Sequence, residues 1–306
     1  MSNLLPPGQK RVALSSVTAT AWAQTAHIFF LESLMKARTW NPGDLAFHGG
    51  TSLHLSWQSS RYSEDLDFLL ARAEVDMKKL VASAGKLLEE SFRRVDPGFE
   101  IAIRDKTKDG ERMLVFQIVV SHPRVVGNTM VKAEFWRTDR EYLMNYPTEA
   151  RLPRAPGDFV SQVSSMVPAA TLSTAFADKL VAFATRPHLK WRDIYDLWWL
   201  GTQTALKIDR DVVSDQFLHN VTAYNTLEGK PAHKALLGLL QRDRTAVIAQ
   251  ADPDLKSWLP QGVWAALHPA GVEQMVDFAR ATLQTMHDHI EARTAKAAPQ
   301  RKAPRP

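Results

Sequence analysis

The chain contains no cysteine among its 306 residues, which excludes disulfide bonds, thiolate zinc sites and cysteine nucleophiles. It also lacks any apolar run close to the ~20 residues that a membrane-spanning helix needs. Residues 1–11 contain no apolar segment of signal-peptide length. We therefore expect a cytoplasmic protein that makes no contact with a membrane.

Most of the chain also lacks an excess of positive or negative charge. The formal net charge is +5, but residues 293–306 carry five basic side chains and no acidic one, and the remainder carries 33 of each sign. This last segment is rich in proline and alanine, so we expect a disordered basic tail. Such a tail would attract RNA without specificity. A solvated end with no partner is the alternative.

The chain does contain enough apolar side chains to form a sizeable core. Hydrophobic residues make up 45% and charged residues 23% of the sequence, as in ordinary soluble globular proteins. Strand and helix patterns alternate up to residue 136, whereas helical spacing continues from about residue 171 to residue 291. Prolines and a glycine between residues 147 and 157 mark a loop and a domain boundary.

We therefore predict the α/β (α+β) class, with a mixed sheet in a domain over residues 1–158 and an all-helical domain over residues 159–292. Residues 293–306 form the predicted tail. Predicted helices lie at 15–37, 51–57 and 76–94, predicted strands at 45–48, 65–70, 99–104, 113–120 and 128–136, a hairpin turn at 108–110, and breaks in the helical part at 186–187 and near residues 231, 260 and 269.

The most informative segment joins a glycine turn to two closely spaced carboxylates. F-H-G-G-T-S-L at residues 47–53 is followed by S-E-D-L-D-F at residues 63–68. Side chains at positions i and i+2 of a strand point to the same face, so Asp65 and Asp67 would project together. They repel each other unless a cation lies between them, and Mg²⁺ prefers to share its oxygen ligands with phosphates.

The glycine turn supplies what an anion needs. Gly49 and Gly50 precede a short predicted helix, whose amides at the N-terminus favour a phosphate. Taken singly, a D-x-D pattern is most often a solvated strand end, and a Gly-Gly pair is most often only a turn. Their joint arrangement favours a site for a nucleoside triphosphate and its metal.

These motifs resemble those of the AbiEii/AbiGii-type nucleotidyltransferase toxins, including their mycobacterial relatives, within the DNA-polymerase-β-like nucleotidyltransferase superfamily. G-G-T-S-L and R-Y-S-E-D-L-D-F are similar to the first motif of that family. F-A-D-K-L-V-A-F at residues 176–183 and K-W-R-D-I-Y-D-L at residues 190–197 are similar to its later motifs. The resemblance covers roughly residues 45–200, and it implies a polymerase-β-like domain followed by helices that contribute Lys179 and Asp196 to the cleft.

A third carboxylate is implied by the same resemblance, on a strand next to the D-x-D strand. Glu134 is the best candidate, because it lies on a predicted strand between apolar residues. Lys132 shares its face, so a surface Lys/Glu pair is the alternative. Weaker candidates for this position are Glu100 and the Ser121-His122 pair.

The helical part offers a lysine and two carboxylates. Lys179 lies in an apolar helical turn and must find an anion or extend to solvent. The matching lysine of the family contacts the triphosphate. Asp193 and Asp196 share a helix face, where Asp193 would cap the helix and Asp196, lying deeper, needs a partner such as Lys179 or Arg192. A structural capping network is the alternative.

Further residues around the glycine turn and the D-x-D strand have two interpretations. Arg61 and Ser63 would bind phosphate or only shape the turn, and Thr51 and Ser52 would bind nucleotide at the start of the short helix. A metal centre built from His48 and His54 is much less favoured than satisfied or exposed histidines. The Trp198-Trp199 pair is expected to fill the core, although an aromatic ring also stacks on bases.

The resemblance implies transfer of a nucleoside monophosphate from an NTP to RNA, notably the 3′ end of tRNA, by a toxin that blocks translation and is neutralised by an antitoxin. Mg²⁺ would be held by Asp65, Asp67 and Glu134, and pyrophosphate would leave beside Lys179 and the amides of the glycine turn. Transfer to a small molecule or a protein side chain, and a nucleotide-binding regulator without turnover, are the alternatives.

Overall fold

The structure is a computed structural model that divides into two compact units, Met1–Thr171 and Leu172–Pro306. We describe each unit by itself. The structure describes residues 10–71, 76–108, 112–155, 163–204, 208–224, 227 and 231–297.

The first unit combines a mixed sheet with helices, which confirms the predicted class. Its strands are β1 (Val12–Ala13), β2 (Leu45–His48), β3 (Asp65–Ala71), β4 (Glu100–Asp105), β5 (Met113–Ser121), β6 (Val125–Val126), β7 (Asn128–Thr138), β8 (Thr148–Arg151) and β9 (Val167–Ala170), and its helices are α1 (Ser16–Lys36), α2 (Gly49–Trp57), α3 (Met77–Val95) and α4 (Arg140–Met144).

The strand that carries the D-x-D motif lies at the centre of the sheet. Seven strands pair in the order β4-β5-β7-β3-β2-β9-β8, while β1 and β6 form a separate parallel pair. Strand β3 runs antiparallel to β2 and parallel to β7. Because Leu66, Phe68 and Leu69 are buried, the strand is anchored on its apolar side chains while its aspartates keep access to solvent.

Helices α1 and α3 pack together and contribute much of the hydrophobic core. Each begins at a side chain that accepts a hydrogen bond from a backbone amide. Ser15 Oγ accepts from Thr18 N at 3.1 Å, and Asp76 Oδ1 accepts from Lys79 N at 3.2 Å. Aromatic rings fill the core, with Phe29 against Phe92, Trp22 against Phe99, and Phe68 stacked on Phe135 at 4.6 Å between ring centroids.

Several elements of the first unit were not predicted. Strand β8 falls in the segment that its prolines marked as a loop, and helix α4 and strand β9 fall just before and after it, where no element was predicted. Because β9 pairs with both β2 and β8, the sheet extends to Ala170. The division between the units therefore falls after Thr171 and not at residue 158. Part of the predicted hairpin turn, residues 109 and 110, lies outside the described residues, but β4 and β5 do pair antiparallel.

The described part of the second unit contains helices and no strand. The breaks predicted near Pro187, Pro231, Pro260 and Pro269 all fall between helices. The α-helices of this unit are α5 (Leu172–Thr185), α6 (Trp191–Thr202), α7 (Arg210–Tyr224), α8 (Ala232–Ala235), α9 (Arg244–Ala249), α10 (Ala251–Leu255), α11 (Gln261–Leu267) and α12 (Ala270–Ala297).

A buried tryptophan anchors the start of α6 in the second unit. Trp191 donates its indole N–H to the Val247 carbonyl at 2.8 Å, and its backbone amide donates to Asp254 Oδ2 at 2.7 Å. These bonds satisfy polar groups that burial would otherwise leave without a partner. They fix the first turn of the helix that carries Asp193 and Asp196.

The predicted disordered tail is wrong for its first residues. Helix α12 continues to Ala297, and Arg293 Nη2 donates to Asp215 Oδ1 at 2.7 Å. The remainder of the predicted tail, residues 298–306, lies outside the described residues. Over the described ranges, no helix combines the length and apolar character that crossing a bilayer requires.

Candidate active site

Three carboxylates meet on adjacent strands of the first unit. Asp65 and Asp67 lie on β3, and Glu134 lies on β7, its parallel neighbour. The register pairs Asp67 with Glu134 and Asp65 with Lys132. Side chains at paired positions of neighbouring strands point to the same face. The sheet therefore brings together the three carboxylates that the sequence analysis assigned to metal binding.

Electrostatics in this cluster favour a positive partner. Burial raises the pKa of Glu134 above its ordinary value, and the negative charges of Asp67 and Asp65 raise it further, against an opposing contribution from Lys132. Lys132 Nζ lies 3.9 Å from Asp65 Oδ1. A divalent cation is attracted to several clustered carboxylates, so these residues fit a hard metal ion with oxygen ligands.

The alternatives for the third carboxylate lie elsewhere on the sheet. Glu100 is on the edge strand β4, where it pairs with Ser121 at the end of β5. Both positions are separated from β3 by β7. His122 is buried against Asp96, with 3.4 Å between Nε2 and Oδ1. None of these side chains is brought to the D-x-D strand.

Glu134→Gln should make the metal-free protein more stable at neutral pH. Because the folded state raises the pKa of Glu134, ionisation disfavours folding at pH values above the ordinary carboxyl pKa, and the variant avoids this loss. We expect a rise in Tm of about 1–2 °C at pH 7, which disappears as the pH falls below about 4. Thermal unfolding over this pH range, with EDTA present, measures the difference. An equal difference at every pH would contradict the electrostatic explanation.

The glycine turn approaches the carboxylates so closely that it tolerates no side chain. Gly49 has φ +75°, and a Cβ atom there would overlap Asp67 Oδ2. A Cβ on Gly50 would overlap the guanidinium of Arg61 and lie 2.9 Å from Ser63 Oγ. The glycines, Asp67, Arg61 and Ser63 therefore form one closely packed cluster around the N-terminus of α2.

Gly49→Ala should destabilise the protein and remove its activity. An L-residue at positive φ costs about 1–2 kcal/mol, and the new methyl group must displace Asp67. The matched control is Gly262→Ala, because Gly262 lies in α11 and has no atom within 4 Å of an added Cβ. Thermal unfolding and an activity assay on both variants measure the effect. Wild-type activity in Gly49→Ala would show that the close approach is unnecessary.

The polar side chains around the turn are mostly buried and hold the site together. Thr51 Oγ1 donates a short hydrogen bond to the Asp65 carbonyl, which fixes the start of β3. Arg61 is only 2% exposed, and its Nη1 donates to the Tyr62 carbonyl at 2.8 Å. Ser52 Oγ is buried and has no hydrogen-bond partner in the described part of the chain.

The histidines near the turn have different environments. His54 Nδ1 lies 2.8 Å from the Ser59 carbonyl and Nε2 lies 3.1 Å from Gln24 Nε2. Burial and the charge of Arg61 lower its pKa, which is typical of a satisfied core histidine. His48 is in register with Asp67, and its ring meets the edge of Tyr146 at 6.3 Å between centroids.

A buried histidine that sequence reasoning missed supports the segment leading to β3. His27 Nε2 lies 2.7 Å from the carbonyl oxygen of Glu64, the residue before Asp65. Burial lowers its pKa to about 4, so the imidazole is neutral at physiological pH and donates from Nε2. His27 lies in an apolar stretch of α1 far from the motif, and no sequence signal linked the two.

In the second unit, Lys179 lies within a buried network of ion pairs. Its Nζ is 2.7 Å from Asp196 Oδ2 and 3.1 Å from Asp193 Oδ1. Arg186 makes a further short ion pair with Asp193 Oδ2. The partner proposed for Asp196 is therefore present. The role proposed for Asp193 as a helix cap is wrong, because α6 begins after Lys190 and the Asp193 carboxylate pairs with two cations.

The sequence of the chain matches a known family over most of its length. The model of the family described as "Nucleotidyl transferase AbiEii toxin, Type IV TA system" matches residues 37–268. The chain belongs to this family. The matched residues include the glycine turn, the three carboxylates and the Lys179 network.

Solved structures agree on the fold. MenT4, a nucleotidyltransferase toxin from Mycobacterium tuberculosis H37Rv, has 19% identity and a TM-score of 0.56, with 91% of this chain and 93% of that one covered. JHP933 from Helicobacter pylori has 18% identity and a TM-score of 0.52, with 93% and 97% covered. A putative nucleotidyltransferase from H. pylori has 18% identity and a TM-score of 0.55, with 91% and 98% covered. No curated protein matches the chain in sequence.

Membership in the AbiEii family establishes the general activity. The chain is a nucleotidyltransferase of a type IV toxin–antitoxin family, which implies an NTP substrate and an antitoxin partner. Nucleotidyltransferases generally use a divalent metal, and the carboxylate cluster on β3 and β7 fits one.

Proposed function

We propose that this toxin transfers a nucleoside monophosphate from an NTP to a hydroxyl at the 3′ end of tRNA and so blocks translation. The single observation that carries the proposed site is the pairing of Asp67 with Glu134 beside Asp65. Glu134 lies on the same face of the sheet as the two aspartates, so its carboxylate is placed to accept a proton from a hydroxyl beside a metal–triphosphate complex.

In the proposed reaction, Glu134 accepts the proton of the attacking hydroxyl. A bond forms between that oxygen and the α-phosphorus, the bond from the α-phosphorus to the bridging oxygen breaks, and pyrophosphate leaves. Asp65 and Asp67, with Glu134, would hold Mg²⁺. Bound there, the ion neutralises phosphate charge and orients the α-phosphate for in-line attack.

The phosphates are proposed to bind at the glycine turn. Gly49 and Gly50 occupy the first positions of α2, and the first amides of a helix lack intrahelical partners and favour an anion. Arg61 and Ser63 lie against Gly50, and Ser52 has a buried hydroxyl at the same helix end. Thr51 supports this arrangement through its bond to the Asp65 carbonyl.

Lys179 is proposed to contribute a positive charge to the triphosphate. Asp196 and Asp193 hold its ammonium group in one position. Because the lysine side chain is already ordered, nucleotide binding would cost less of its conformational entropy. In this role Asp196 and Asp193 are positioning residues that act through the lysine. Arg186 pairs with Asp193 and balances the second negative charge of the network.

The decisive experiment incubates the protein with total RNA, Mg²⁺ and each α-labelled NTP in turn. We expect label from at least one NTP in the tRNA fraction, together with pyrophosphate release. Periodate oxidation of the RNA, which destroys its terminal 2′,3′-diol, should abolish labelling. Label in the protein itself would identify modification of a side chain. Pyrophosphate release that requires a cell extract from which RNA has been removed, and that does not occur with RNA alone, would identify a small acceptor. The absence of metal-dependent pyrophosphate release in all reactions would favour a nucleotide-binding regulator.

The proposed antitoxin is a separately encoded protein. Expression of the toxin alone should arrest growth and protein synthesis, and co-expression of the product of the neighbouring gene should restore both. Growth arrest by the toxin alone without a fall in protein synthesis would contradict the proposed target.

A further inference from the structure

The second unit contains a cluster of three potential metal ligands that has no part in the proposed transfer reaction. His287 and Glu291 lie on α12, and His233 lies on α8. One potential ligand atom from each of the three residues lies within 4.8 Å of the other two. His287 and Glu291 are four residues apart, so both project from the same face of α12.

A neighbouring carboxylate orients one of these imidazoles. His287 Nδ1 lies 3.0 Å from Asp288 Oδ1, and Gln284 Nε2 donates to the same oxygen at 2.7 Å. Histidine ligands of metals commonly donate their second ring N–H to a carboxylate, which fixes the tautomer and increases the basicity of the other nitrogen. In this arrangement His287 Nε2 is the nitrogen that is left to bind an ion.

Helix α8 itself contributes little apolar burial to its contact with α12. Helix α8 has four residues and none of them is fully buried, although Leu236 in the following 3₁₀ turn is. The rings of His233 and His287 lie 5.4 Å apart between centroids at 60°. A four-residue helix is too short to be stable by itself, so an added bond between these histidines would fix it in place.

We propose that His233, His287 and Glu291 form a binding site for Zn²⁺ or a similar borderline divalent ion, which cross-links α8 to α12. Two imidazoles and one carboxylate suit Zn²⁺, with water as the fourth ligand. Zn–N and Zn–O bonds of about 2.0–2.2 Å place tetrahedral ligand atoms about 3.3 Å apart. The ligand atoms, which lie within 4.8 Å of one another, must therefore move closer by at most about 1.5 Å. The carboxylate cluster on β3 and β7 contains only oxygen donors, so the two sites select different metals.

The test is titration of the full-length protein with Zn²⁺ by isothermal calorimetry in a buffer with excess Mg²⁺, which saturates oxygen-only sites. We expect one Zn²⁺ per chain and a rise of several degrees in Tm at saturating Zn²⁺. His287→Gln and His233→Gln should each weaken binding by about 100-fold or more, while circular dichroism confirms that the variants remain folded. Co²⁺ in place of Zn²⁺ should give visible absorption bands of a tetrahedral nitrogen-containing site in the wild type alone.

The matched control is His289→Gln. His289 lies on α12 two residues after His287, but its Nε2 pairs with Asp211 at 3.0 Å. Zn²⁺ affinity should be the same in this variant as in the wild type. Equal loss of affinity in all three variants, unchanged affinity in His287→Gln, or no stoichiometric binding by the wild type would each overturn the proposal. Nucleotide transfer by the Zn²⁺-free protein should be retained in every variant at temperatures below its Tm.

Discussion

Replacement of Asp67 by asparagine should abolish nucleotide transfer and growth arrest. Asp67 lies at the centre of the carboxylate cluster, in register with Glu134 on one side and His48 on the other. An amide keeps the shape but removes one negative charge from a metal site that depends on charge. We expect a loss of transfer rate of about 10³-fold or more. The measurement is the initial rate of label transfer at saturating NTP and Mg²⁺.

The same substitution should leave the fold intact. Removing one of three neighbouring negative charges reduces their mutual repulsion, so the Tm of Asp67→Asn without metal should be equal to or above that of the wild type. The matched control is Glu64→Gln, because Glu64 is exposed and lies one residue before β3. It changes the net charge equally and should retain wild-type activity. An active Asp67→Asn, or an equally inactive Glu64→Gln, would contradict the assignment of the site.

Among the substitutions proposed here, replacement of Lys179 by methionine should cause the largest loss of folding stability. The lysine pairs with two buried carboxylates, and removing one partner of a buried ion pair leaves an uncompensated charge, at a cost of about 3–5 kcal/mol. Arg186 remains beside Asp193, whereas Asp196 loses the ion pair that its Oδ2 makes with Nζ at 2.7 Å. Urea unfolding of the variant and the wild type measures the difference. The control Lys190→Met removes the same charge from an exposed position and should change stability little.

A second substitution separates the structural role of Lys179 from its proposed role in catalysis. Asp196→Asn in the Lys179→Met background removes the buried negative charge that the lysine had paired with and should restore much of the lost stability. If the ammonium group also binds the triphosphate, the double variant should remain inactive although it is folded. Recovery of transfer together with stability would show that the lysine acts only in the fold. Wild-type stability of Lys179→Met alone would contradict the buried network itself.

The sequence predicted the elements that carry motifs. Strand β3 was predicted because Asp65 and Asp67 interrupt an apolar run at a spacing of two, and β2 because a short apolar run enters a Gly-Gly pair. The helical breaks were predicted because proline cannot continue a helix. Local chemistry determines each of these features, so one segment is sufficient to recognise them.

Features that depend on distant pairing were not predictable from local chemistry. Strand β9 contains Pro168 and follows several other prolines, so its sequence is typical of a loop, and only its pairing with β2 and β8 makes it a strand. The register between Asp67 and Glu134 arises from parallel pairing of segments far apart in the chain. Asp193 was misassigned because its partners, Lys179 and Arg186, lie on and just after the preceding helix.

The parallel pairing of β3 with β7 also bears on how a cell synthesises this toxin safely. Glu134 leaves the ribosome long after Asp67, and Lys179 later still. At about 5–20 residues per second, an interval on the order of seconds separates these events. During this interval the nascent chain carries two of the three carboxylates without the third, so the proposed metal site is incomplete. An antitoxin already present in the cell has that interval in which to meet the toxin before the toxin can act.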